Sequence, residues 1–111
     1  MEHLTLETFK DKISDIENWE FKGELPCILK YTAAWCSPCR TLTPILENLS
    51  KEYSEKINIY EIDVDEESEL SSIFNIRSVP TMIFCSMDNK TQTISGSVPK
   101  SNIVNIIETI I

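Results

Sequence analysis

Cys27-Ile28-Leu29-Lys30-Tyr31-Thr32-Ala33-Ala34-Trp35-Cys36-Ser37-Pro38-Cys39-Arg40 is the stretch that decides the fold. Its first half, Cys27 to Ala33, is a short and mostly apolar run, which predicts a buried strand. From Ser37 to Tyr53 the pattern changes, with Leu42, Ile45, Leu46 and Leu49 at helical spacing. The strand therefore delivers Cys36 to the start of a helix. Free backbone N–H groups and the positive dipole end there stabilise a thiolate. Pro38 suits the first turn, where its missing N–H costs little. Cys39 follows one turn later, close enough for a disulfide with Cys36. That geometry divides the labour: Cys36 attacks a disulfide as the exposed, low-pKa thiolate, and Cys39 attacks the resulting mixed disulfide.

Outward from this segment, Thr5 to Ile13 reads as an amphipathic helix with Thr5 as its N-cap and Leu6, Phe9 and Ile13 on one stripe. Asn18 to Pro26 is a connection. Pro44 lies inside the second helix and should kink it. Ile57 to Val64 alternates and predicts a strand, and Asp65 to Phe74 an acidic-started helix. Thr81 to Cys85 and Thr91 to Ser95 form a hairpin around Asp88-Asn89, although the turn lacks the favoured glycine. Gly96 breaks the last strand. Pro99 to Ile111 closes the chain as a helix with Ile103, Ile106, Ile107 and Ile110 inward. The first two strands and the Ser37 helix make a βαβ unit, which requires parallel pairing. An α/β fold results, with a mixed sheet flanked by helices on both faces.

At 111 residues the expectation is one domain, residues 1–111. The net charge of -8 argues against a nucleic-acid partner, which would need a basic surface. No apolar run is long enough to cross a bilayer, so no membrane role is expected. Met1 to Thr5 lacks the basic and apolar regions of a signal peptide, and a cytoplasmic setting is the default. A chain whose leader has been removed for export would read the same. Of the four cysteines, only Cys36 and Cys39 have a meaningful local spacing.

At these residues the chain resembles the thioredoxin family over its whole length. The matching elements are Trp35-Cys36-Ser37-Pro38-Cys39-Arg40, Pro44, Asp63-Val64-Asp65, Ile76-Arg77-Ser78-Val79-Pro80-Thr81 and Gly96. The resemblance implies a thioredoxin fold with strand order 1-3-2-4-5, counting a short edge strand near Glu2–Thr5. Periodicity alone does not find that strand. It also implies a cis Val79-Pro80 peptide facing Cys36 and presenting backbone to an extended substrate segment, with Trp35 and Gly96 flanking the groove. Ser37, Pro38 and Val79 complete the substrate-binding surface. The implied activity is reduction of disulfides in protein substrates, with the Cys36–Cys39 disulfide as the redox group and no bound cofactor. A thioredoxin reductase is the implied electron donor, and a monomer is expected.

Two departures from the family stand out. Ser37 replaces the usual glycine, and its hydroxyl could donate to a thiolate or cap a backbone N–H. Lys30 stands where the family carries a buried aspartate, and Glu61 where it carries a nearby lysine. The two charges are exchanged. A lone lysine in a buried strand needs a partner, so Lys30 and Glu61 are expected to pair beneath Cys39. Either Glu61 or a neutral Lys30 would take the proton-transfer role, or a charged Lys30 would favour the Cys39 thiolate. The alternative is a Lys30 that snorkels to solvent.

The remaining candidates have plainer readings. Cys27 and Cys85 are expected as small apolar residues in strands, since their spacing does not mark a second redox pair. His3 is expected solvated, and Trp19 covers an edge of the core. Asp63, Asp65, Glu66, Glu67 and Glu69 lack the glycine and spacing of a calcium loop. Arg40 and Arg77 are isolated surface cations. Competing functions are a general dithiol reductase, a specialised or partner-restricted oxidoreductase of the same fold, a non-catalytic binding module using the Val79-Pro80 groove, and a metal site on the two cysteines. The last would need two further ligands.

Overall fold

The computed structural model describes all 111 residues. Nine elements follow one another: β1 (Glu2–His3), α1 (Leu6–Lys12), β2 (Cys27–Thr32), α2 (Ser37–Glu52), β3 (Asn58–Asp63), α3 (Ser68–Ile73), β4 (Thr81–Cys85), β5 (Thr91–Ser95) and α4 (Lys100–Ile110). They build one sheet of order β1-β3-β2-β4-β5. β1 and β2 run parallel to β3, while β4 is antiparallel to both β2 and β5.

β2 and β4 occupy the middle of the sheet and are buried on both faces. Strand alternation sends Cys27, Leu29 and Tyr31 into one core with Phe9 and Leu70. Ile28 goes into the other, with Leu42, Leu46, Leu49, Ile103 and Ile107. Each fully buried leucine on α2 contributes roughly 1.5–3 kcal/mol through removal of apolar surface from water. Lys30 shares the parity of Ile28 and therefore points toward α2.

Local chemistry explains the element ends. Thr5 and Thr8 form a capping box: each hydroxyl accepts the other's backbone N–H, at 3.2 and 2.8 Å. α3 starts three residues later than the acidic run suggests. Asp63 Oδ1 takes the Asp65 and Glu66 N–H groups and holds that stretch as a turn. The helix then ends in a Schellman motif, with Asn75 at φ 54° and its N–H on Ser72, and the Ile76 N–H on Ser71. Asn89, at φ 70°, supplies the left-handed residue that the β4–β5 hairpin would otherwise take from glycine. β1 is too short to show a period, which is why its two residues escape a pattern reading. Pro99 lies outside α4 as its N-cap residue, and α2 continues through Pro44 to Glu52.

Candidate functional site

The connection from β2 to α2 places the two cysteines. Cys36 is the N-cap residue of α2, with extended backbone at φ -87° and ψ 107°. Its sulfur accepts the Cys39 N–H at 3.2 Å. This is the bond a capping oxygen would make, and it aims a helix-end donor at the thiol. Cys36 and Cys39 are joined as a disulfide with Cα atoms 5.3 Å apart.

Cys36 differs from expectation in exposure: in this oxidised state it is only 3% exposed and Cys39 1%. Ala33, Val64 and Val79 pack around the pair. The exposed member of the segment is Trp35, at 68%. Ser37 does not take the capping role that was one of its two expected parts. It is exposed and makes no side-chain hydrogen bond, because Cys36 already holds the capping position.

Val79-Pro80 is a cis peptide, and Pro80 is buried. The Pro80 carbonyl accepts the Gly96 N–H at 2.8 Å. Gly96 adopts φ 86°, and a Cβ there would meet nothing within 4 Å, so conformation and not space calls for glycine. Trp35, Val64, Ile76, Arg77, Ser78 and Val79 line a groove of about 130 Å³ beside the disulfide. Asp65 Oδ2 accepts the Trp35 indole N–H at 2.9 Å and steadies the exposed ring. Pro38 is exposed on the first turn of α2. Arg40 donates to the Ala34 carbonyl at 2.8 Å and so ties the approach loop to the helix.

Beneath the disulfide, Lys30 and Glu61 are register partners on β2 and β3. Lys30 Nζ lies 3.6 Å from Glu61 Oε2, with the two side chains 1% and 12% exposed. Lys30 therefore does not snorkel. Its Nζ also donates to Thr43 Oγ1 at 2.6 Å, and that hydroxyl donates to the Cys39 carbonyl at 3.1 Å. Burial pulls the Lys30 pKa down from its ordinary value, and the Glu61 charge opposes it. Sequence reasoning gave Thr43 no role and read Asp65 only within a family-matching segment and an acidic run. Thr43 stands four residues after Cys39, the spacing of a helical back-bond, and that signal was available.

Among the remaining candidates, His3 reaches the outer edge of this centre and Trp19 lies at a core edge. His3 is 68% exposed, with Nε2 3.8 Å from Glu61 Oε1. Trp19 packs edge-on to Phe74 and donates to the Asn89 carbonyl, covering a core edge as expected. No group of three or more His, Cys, Asp or Glu side chains is placed to hold a metal ion.

Comparison with known proteins matches the thioredoxin family profile to residues 1–109. The chain belongs to the thioredoxin family. A thioredoxin of Borreliella burgdorferi is 39% identical over 108 residues, covering 95% of this chain and 92% of that protein. An M-type chloroplastic thioredoxin of Spinacia oleracea is 36% identical over 95 residues, which are 86% of this chain and 52% of that longer protein. Among solved structures, chloroplastic thioredoxin z superposes with a TM-score of 0.82 at 25% identity, over 99% of this chain and 93% of the other. The expected α/β architecture and strand order are the observed ones. Membership, together with the paired Cys36 and Cys39, makes this chain a thiol–disulfide oxidoreductase acting on protein disulfides. No helix is long and apolar enough to cross a membrane.

Proposed function

We propose that the chain works as a general protein-disulfide reductase in which Cys36 is the nucleophile and Cys39 the resolving thiol. The observation that carries this is the Cys39 N–H on the Cys36 sulfur at the start of α2. The same donor that caps the helix stabilises negative charge on Cys36. The reduced Cys36 thiolate attacks one sulfur of the substrate disulfide, and a substrate thiolate leaves and takes up a proton. Cys39, once deprotonated, attacks Cys36 Sγ and expels the second substrate thiol. Two electrons and two protons pass to the substrate, and the Cys36–Cys39 disulfide remains. That disulfide is the whole redox group, and no bound cofactor enters the cycle.

In this proposal Val79, Pro80 and Gly96 present backbone to an extended substrate segment, and Trp35, Ser37 and Pro38 form the opposite wall. Lys30 is a positioning residue. Its ammonium, held by Glu61 and Thr43, lowers the cost of the Cys39 thiolate. A thioredoxin reductase recharges the disulfide, and the chain acts as a monomer in the cytoplasm. Insulin-disulfide reduction with dithiothreitol tests the reading. Wild type should accelerate precipitation and Cys36→Ser should not. A silent wild type would leave a binding module that uses the Val79-Pro80 groove without turnover.

A further inference from the structure

Cys27 and Cys85 are separated by more than half the chain, yet the fold makes them register partners across β2 and β4. The hydrogen-bond pattern sharpens this placement. The carbonyls of Pro26 and Thr32 accept from β3 and the flanking Val64, and that of Pro80 accepts from Gly96. Even-numbered positions of both strands thus turn away from each other, and odd-numbered positions turn toward each other. Cys27 and Cys85 therefore form a directly hydrogen-bonded antiparallel pair, for which Cα atoms lie about 5.5 Å apart. That separation lies within the Cα range of disulfides, while the Cβ atoms of such a pair, about 5.5 Å apart, must close by roughly 1 Å for a bridge to form. Both side chains enter the same core cluster, 1% and 0% exposed.

We infer that Cys27 and Cys85 are a second redox couple, which a small hydroperoxide oxidises to a cross-strand disulfide. The thiolate of one residue attacks the peroxide oxygen, giving a sulfenic acid and releasing an alcohol or water. The neighbouring thiol then attacks the sulfenic sulfur and expels water. Two thiols lose two electrons and two protons, and one peroxide is consumed. Because the second thiol is already adjacent, capture of the sulfenic acid precedes further oxidation. The bridge would fasten β2, which leads to Cys36, to β4, which follows Pro80.

Position keeps the two couples separate. Cys27 begins β2, so roughly 20 Å of strand lies between it and the active-site segment. Direct exchange between the couples within one molecule has no path. Trp19 and Phe21 of the irregular segment 14–26 pack against the core cluster that holds the inner pair. That segment is tied to the hairpin by the Phe21 N–H on Asn89 Oδ1 at 2.7 Å. Such segments open at lower free energy than central strands and admit water-sized oxidants. The adjoining Cys85 thiol, and then burial, push the Cys27 thiol well above its ordinary value. Its thiolate is scarce, which makes the inner couple the slower one.

The test uses the fully reduced wild-type chain, exposed to hydrogen peroxide under native conditions. Samples are quenched in denaturant with N-ethylmaleimide and read by intact mass and peptide mapping. The expected course has two stages at monomer mass. Cys36 and Cys39 lose reactivity first. Cys27 and Cys85 then disappear together, with a linked peptide joining them. Persistence of both inner thiols through prolonged exposure would overturn the inference. So would their appearance as sulfinic acids, in intermolecular links, or as a bridge formed only when urea is present during oxidation.

Discussion

Lys30 Nζ and Glu61 Oε2 lie 3.6 Å apart in the interior of the sheet, as partners in register on adjacent parallel strands. The pair reaches Cys39 through Thr43, whose hydroxyl accepts from Lys30 and donates to the Cys39 carbonyl. A cation at this place favours the thiolate that must resolve the mixed disulfide. Lys30→Met should shift the pH dependence of single-turnover disulfide reduction upward by about one pH unit. Glu61→Gln should also move the profile, because Lys30 then loses the charge that keeps it protonated. Unchanged profiles in both variants would remove Lys30 and Glu61 from the mechanism.

The same burial has a stability signature. The Lys30 pKa is lowered in the folded chain, so the unfolded chain binds more protons between that lowered value and the ordinary 10.5. Folding stability attributable to Lys30 therefore rises with pH through this window and is smallest below it. Urea midpoints measured across it should show wild type gaining on Lys30→Met. A constant difference between the two would contradict a buried, charged Lys30.

Asp65 should govern docking and not chemistry. It accepts the indole N–H of the exposed Trp35 at one wall of the groove. Asp65→Ala frees the ring, so KM for a protein disulfide should rise while the rate with a small-molecule disulfide stays near wild type. Stability should change by no more than about 0.5 kcal/mol, as for an ordinary surface substitution. Equal losses with both substrates would assign Asp65 a different part.

Much of the site was legible before the fold was known. Cys36 and Cys39 carry local signals, a strand-to-helix change of period and helical spacing, whereas the part of Val79-Pro80 in the site followed from the family resemblance. Lys30 was visible as well, because a lysine inside an apolar strand demands a partner, and the family resemblance pointed to Glu61 and to the exchange of charges. What escaped depends on tertiary register. Cys27 and Cys85 have no sequence spacing to mark them, and only the antiparallel alignment of β2 and β4 makes them neighbours. β1 is held by pairing with β3 and not by any pattern of its own. The late start of α3 follows from Asp63 competing for backbone N–H groups, a choice that composition does not reveal.

Tyr31 offers a check on the core behind the site. Its hydroxyl donates to the Leu70 carbonyl at 2.8 Å and anchors α3 to the sheet. Tyr31→Phe removes the donor and leaves that buried carbonyl unpaired, at a cost of about 1–3 kcal/mol. The loss should be read as a lower urea midpoint with an unchanged slope.

The division of labour between Cys36 and Cys39 is the centre of the account, and covalent trapping measures it most directly. Each single variant is reduced, mixed with a disulfide-bonded protein, quenched with acid and read by intact mass. Cys39→Ser should accumulate a one-to-one mixed disulfide through Cys36, because nothing remains to resolve it. Cys36→Ser should give none. An adduct on Cys39 in Cys36→Ser, with none on Cys36 in Cys39→Ser, would contradict the assignment.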